Sequence, residues 1–148
     1  HPNRAVLTCL GSLYIASLHA HSDPVFPHLR EVIDEILNIT GGERTIVGGD
    51  FNTARLAREV WPGWGHGQFW DWIDSGEELV DSYRLFHESE RQTFFCDGGV
   101  HAFQDDHILV TPDLAPEVVS SMALDTPETH RVSDHIPVVT VLSVGAAE

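Results

Sequence analysis

The chain has 148 residues, of which 42% are hydrophobic and 21% charged, a balance that argues against disorder and suits one domain (1–148) with a real core. Its net charge is −15 and all eight basic residues are arginine. That charge opposes non-specific adhesion to nucleic acid or anionic membrane, but it leaves room for a phosphate-bearing substrate if metal ions offset the local field.

No apolar run is long enough to span a bilayer. The opening His1-Pro2-Asn3-Arg4 lacks the basic-then-apolar layout of a signal peptide, and the compartment is left open. Cys9 and Cys96 form no metal pair. They leave two alternatives, one disulfide or two buried thiols, and buried thiols are the expectation. Among ten histidines, no pair has the His-x-x-x-His spacing with a carboxylate that a zinc hydrolase needs.

In chain order, Leu13 to Leu18 is the first expected strand. Asp23-Pro24 is an expected helix start, followed by Phe26, Leu29, Ile33, Ile36 and Leu37 at helical spacing and stopped by Gly41-Gly42. Thr45 to Val47 is the next strand, so the order is strand, helix, strand. Ala54 to Val60 is a short helix, Trp61 to Gly67 a loop, and Phe69 to Ile73 one or two helical turns. Glu78 to Phe86 is a short segment entering a helix near Asp81. Gln92 to Cys96 is a strand candidate and Cys96-Asp97-Gly98-Gly99 a turn. Asp106 to Thr111 and Val118 to Leu124 are strands, Thr126 to Val132 an irregular loop, and Ile136 to Leu142 the last strand. There is no repeat, low-complexity tract or linker.

The chemistry sits at four places: His19, Asp50 with Asn52, Asp106, and Asp134 with His135. Each lies at one end of an expected strand. Alternation points residues 50 and 52 the same way along an extended backbone. Taken singly, each cluster has a plain alternative. Asp50-Phe51-Asn52 is also a common turn, His19 and His135 are also packing histidines, and Asp106 and Asp134 are also caps. Taken together at one sheet edge, three carboxylates, an amide and two imidazoles suit hydrolysis of a phosphate ester. Carboxylates hold Mg²⁺ or Mn²⁺, a carboxylate orients or deprotonates water, and an imidazolium stabilises the charge or protonates the leaving oxygen. The other histidines show no pattern above surface or loop residues. Trp61, Trp64, Trp70 and Trp72 suit core or rim better than a base-stacking platform.

The order of these motifs resembles the endonuclease/exonuclease/phosphatase superfamily, which includes pancreatic-type deoxyribonucleases and apurinic endonucleases. The matching residues are Ser17-Leu18-His19, Gly49-Asp50-Phe51-Asn52, Leu79 to Arg84, Asp106-His107-Ile108-Leu109-Val110 and Ser133-Asp134-His135-Ile136-Pro137-Val138, spanning about residues 12 to 144. The resemblance implies an α/β (α+β) fold: a half or truncated version of the two-layered α/β sandwich of the deoxyribonuclease-like proteins. It implies a metal-dependent hydrolase acting on phosphate esters. By resemblance, His19 assists the leaving group or contacts phosphate, Asp50 positions or deprotonates the attacking water, and Asn52 orients water and phosphate. Asp106 orients His135, which stabilises the transition state. Asp50, Asn52 and Asp134 are the metal-facing residues.

The match covers only the family's second half. The family's metal-binding Glu has no counterpart here, so Mg²⁺ or Mn²⁺ is expected to bind weakly. The sheet face normally covered by the first half is expected to be exposed, and to be covered by a missing N-terminal half or by a second copy of the chain. A catalytically incompetent half-domain serving as an assembly or interaction module is the alternative function. The residues do not select among phospholipid, sugar phosphate, nucleotide and DNA.

Overall fold

A computed structural model describes residues 4–21, 26–95 and 102–143. Strands β2 (Leu13–His19) and β3 (Thr45–Asp50) lie parallel at the centre of a sheet, joined through helix α1 (His28–Thr40). The helix forms because Leu29, Ile33, Ile36 and Leu37 recur on one face and bury themselves against the sheet. It stops at Gly41, whose φ of 73° is left-handed and whose N–H donates to the Leu37 carbonyl. The expected helix start at Asp23-Pro24 lies outside the described residues, and α1 begins at His28, after Pro27.

Strand β1 (Arg4–Leu10) was not expected from the sequence. It pairs antiparallel with β2 across the turn at Gly11-Ser12, in the register Leu10↔Leu13. Val6 and Leu10 are largely exposed, so this edge strand has no buried apolar face to announce it. Its existence rests on the hairpin bonds. Cys9 lies on it, exposed and free, against the expectation of a buried thiol; Cys96 is outside the described residues.

After β3 come α2 (Ala57–Val60), α3 (His66–Asp74) and the short β4 (Val80–Asp81), which runs into a 3-10 turn at Tyr83–Leu85. His66 and Gly67, expected in a loop, belong to the helix. Strand β5 (Asp106–Val110) completes the five-stranded sheet in the order β1-β2-β3-β5-β4, with β5 antiparallel to β3 and β4. Strands β6 (Val118–Ala123) and β7 (Val138–Leu142) form an antiparallel ribbon. Helix α4 (Pro127–Val132) occupies the segment expected to be irregular. Its start is set by a capping box between Thr126 and Thr129 and by Pro127 in the first turn, where its missing N–H costs nothing. Gln92 to Cys96 is not a strand over its described part, where only Phe94 bridges, to His135.

The two faces of the sheet divide by alternation. Ala16, Leu18, Val47 and Leu109 point to the helical layer, where they pack with α1, Phe69, Trp70 and Ile73. Ile46 and Val110 point the other way and meet Leu114, Val118 and Leu142. The ribbon thus covers one end of the second face, and Ser82 Oγ bonds Thr140 Oγ1 at 2.8 Å across the join. Beyond it an apolar groove of about 390 Å³ stays open, lined by Ile15, Ser17, Gly48, Ile108 and Val138. Trp70 is core, while Trp61 and Trp64 stack on each other at the exposed rim.

Candidate active site

Register builds the site. Along one line across the sheet, His19 pairs with Asp50 and Asp50 pairs with Asp106. Because directly opposed residues share a face, their side chains lie on one face of the sheet, and Asp106 also lines the open groove. His19 Nε2 lies 3.5 Å from Asp50 Oδ2, with the imidazole mostly in solvent. The position before Asp50 tolerates only glycine. Gly49 has φ 145°, and a Cβ there would lie 1.9 Å from the Leu18 carbonyl oxygen.

Asp50 and Asn52 do not sit on an extended run as alternation implied. The strand ends at Asp50, and Asn52 is left-handed, with φ 48°. The Asn52 backbone N–H donates to Asp50 Oδ1 at 2.9 Å, which makes a local turn. The Asn52 amide nitrogen donates to the Ala20 carbonyl at 2.9 Å. The turn is therefore what brings the carboxylate and the amide together.

The fourth cluster arrives from the loop between α4 and β7. His135 Nδ1 lies 2.8 Å from Asp106 Oδ2, so the site joins the five-stranded sheet to the loop that leads into β7. The shared anchor is Thr93, fully buried and not singled out from the sequence. Its Oγ1 accepts the N–H groups of Asp105 and Asp106, its carbonyl accepts from Ile136, and its N–H donates to Phe103. Asp134 is exposed; its carbonyl accepts from Phe95 at 2.7 Å, and its carboxylate acts on His135 by charge.

Charges tune these groups. Burial pushes the Asp50 carboxyl above its usual range; the Asn52 N–H and both histidines pull it back, and Asp106 adds to the rise. Burial alone would lower His135, yet the hydrogen bond and charge of Asp106, with Asp50 and Asp134 beyond, carry it above the ordinary imidazole value. Asp105 went unnoticed in the sequence because its neighbour took the motif position. It is buried, and burial together with the charge of Asp50 pushes it up to about 6.

The donor set offered to a metal is small. Among the described residues, no three His, Cys, Asp or Glu side chains are grouped to hold an ion. Asp50 and Asn52 offer a carboxylate and an amide side by side, and Asp134 is an exposed carboxylate next to His135. This chemistry suits a hard cation such as Mg²⁺, which takes one or two carboxylates and fills its remaining positions with water and phosphate.

No family model and no curated protein matches the sequence. Solved structures do match the fold. A 3'-5' exonuclease (NExo) from Neisseria meningitidis superposes with TM-score 0.71 at 20% identity, covering 94% of this chain and 64% of its own. An AP endonuclease from Archaeoglobus fulgidus gives TM-score 0.64 at 18% identity, covering 95% of this chain and 65% of its own. The endonuclease domain of TRAS1, a telomere-specific non-LTR retrotransposon, gives 0.65 at 19%, covering 98% and 65%. The chain has the endonuclease/exonuclease/phosphatase fold. It spans about two-thirds of the length of these structures, as the partial match of the motifs implies. No helix among the described residues is long and apolar enough to cross a membrane.

Proposed function

We propose that this chain is, or forms part of, a divalent-metal-dependent phosphoesterase cleaving a phosphodiester or phosphomonoester. The observation that supports this reading best is the row His19–Asp50–Asp106 at one sheet edge, joined by His135 at 2.8 Å from Asp106.

In this reading Asp50 orients a water and accepts its proton as the water oxygen bonds to phosphorus. Asn52 holds that water and a phosphoryl oxygen. His135 donates Nδ1–H to Asp106 and turns Nε2 toward the phosphate, where its positive charge stabilises the crowded transition state. The bond from phosphorus to the leaving oxygen breaks, and His19 supplies the proton that oxygen takes. Asp50, Asn52 and Asp134 are the residues that would hold Mg²⁺ or Mn²⁺. A bound cation neutralises phosphate charge and makes water more acidic. With so few donors it binds weakly, and a further carboxylate from outside the described residues would tighten it.

The solved structures of similar fold are named as a 3'-5' exonuclease, a 3' phosphatase bound to a DNA hairpin, and AP endonucleases. DNA ends and backbones are therefore the first substrates to test. The measurement is hydrolysis of DNA and of simple phosphate mono- and diesters in Mg²⁺, Mn²⁺ or EDTA. Activity should need the metal and disappear in Asp50→Ala and His135→Ala, whereas turnover unchanged by either substitution overturns the assignment.

The open groove favours a second reading, a half-domain that works as an assembly module through that face. It predicts a dimer in sedimentation and no heat of Mg²⁺ binding at millimolar metal. A monomer that binds Mg²⁺ rules it out.

A further inference from the structure

We propose that His107 is a positioning residue for the reaction above, a buried clamp that fixes the loop after Asn52 to the loop before Asp106. The proposal rests on the phosphoesterase reading for its catalytic consequence, and on geometry for the clamp itself.

His107 is 1% exposed, on the strand residue next to Asp106. Its Nε2 lies 3.1 Å from the Thr53 carbonyl and 2.6 Å from the Gln104 carbonyl. Both neighbours only accept, so Nε2 carries the proton and donates to the two loops together. Thr53 follows Asn52 directly, and Gln104 precedes Asp106 by two residues. Asn52 is held in a left-handed conformation that its own residue type only tolerates, so pinning the next carbonyl fixes where its amide points.

The other edge of the ring faces the Asp81 carboxylate and the Gln104 amide, and Nδ1 bonds one of them at a time. Nδ1 lies 3.5 Å from Asp81 Oδ2 and 3.2 Å from the Gln104 amide nitrogen. Asp81 in turn receives Arg55 Nη1 at 2.8 Å and the Tyr83 N–H at 3.1 Å. Arg55 also bonds Asp74 and Glu90 and lies over the Trp70 ring. Phe51 meets the imidazole edge-on at 5.7 Å, and Trp70 packs at 4.5 Å. A buried imidazole with its charged partner costs more to desolvate than the aliphatic side chain this face otherwise carries, such as Leu109. Its bonds to both site loops are what that cost secures.

The experiment compares His107→Leu, which fills the space without a donor, with His107→Gln, which keeps a terminal N–H₂. Leu29→Ala, on the buried face of α1, serves as a control for lost stability, with each variant's stability measured in urea. In steady-state hydrolysis His107→Leu should lose about 10- to 100-fold in kcat with little change in KM, the scale set by a misplacement of about 1 Å. His107→Gln should recover most of that loss, and Leu29→Ala should keep wild-type kcat while folded. An equal fall in Leu29→Ala, or no recovery by glutamine, overturns the positioning role. Should His107→Leu not fold, His107→Met, which also lacks a donor, takes its place against His107→Gln and Leu29→Ala. If wild type hydrolyses nothing, the phosphoesterase reading fails. The clamp is then judged by hydrogen exchange alone: faster exchange at Thr53 and Asp105 in His107→Leu (or His107→Met) than in His107→Gln and Leu29→Ala upholds it, and equal exchange overturns it.

Discussion

Asp106 opens β5 and His135 stands 29 residues later in the loop before β7, yet Oδ2 and Nδ1 meet at 2.8 Å. The pairing holds the imidazole in one tautomer and favours its charged form. With Asp106→Asn that support is lost and the His135 pKa falls. The sign follows directly: activity that needs the imidazolium is present below the His135 pKa and lost above it. The high-pH limb of the rate profile should therefore move to lower pH, and kcat should fall on the order of 100-fold. A pH–rate profile of both proteins checks this, and an unmoved limb counts against His135 as the charged group.

Gly49 predicts a structural failure. A methyl group there meets the Leu18 carbonyl at 1.9 Å, on a backbone with φ 145°. Gly49→Ala should cost more than about 2 kcal/mol. Gly63, whose added Cβ would touch nothing within 4 Å, should accept alanine at far smaller cost. Urea midpoints of the two variants test the contrast.

Asp105 is held at about 6, above the ordinary 3.8, chiefly by burial and then by Asp50. A raised carboxyl favours the protonated acid in the fold. Its contribution is present below pH 4 and is lost as pH rises through 6. Asp105→Asn copies the neutral acid, so it should match wild type near pH 4. At pH 8, in EDTA, it should be more stable by up to about 3 kcal/mol. Equal stabilities at both pH values would show that the carboxylate is not strained where it sits.

Asp81 runs the opposite way. Burial would raise it, but the hydrogen bonds and charges of His107 and Arg55 win and hold it near 2. A depressed carboxyl stabilises the fold above pH 4 and loses that contribution as pH falls through 2. The thermal midpoints of wild type and Asp81→Asn should therefore differ widely at pH 6, by roughly 2 kcal/mol of stability or more. The gap should close toward pH 2. A gap independent of pH would assign the loss to packing rather than to charge.

Much of the scaffold was legible because it is written in local periods. The apolar face of α1, the strands Leu13 to Leu18 and Thr45 to Val47, and β5 and β6 follow from spacing alone. What escaped has its own physical cause. Strand β1 lies at an edge with exposed Val6 and Leu10, so no alternation marks it. Helix α4 is short and polar, and its stability comes from a Thr126–Thr129 cap rather than from an apolar stripe. The last strand starts at Val138 rather than Ile136, because Ile136 is spent bonding Thr93.

The sequence by itself determined which polar residues stand at or a few positions beyond strand ends: His19, Asp50, Asn52, Asp106, Asp134 and His135. A short motif records side chains and their spacing, and their chemistry can be read without coordinates. Only the tertiary structure decided that His19, Asp50 and Asp106 share one row, that Asn52 turns left-handed to join Asp50, and that Thr93 and His107 hold the loops together. These are relations of register and of buried hydrogen bonding between distant segments. They arise when strands choose partners and unpaired polar groups find each other in the core, and no local pattern carries them.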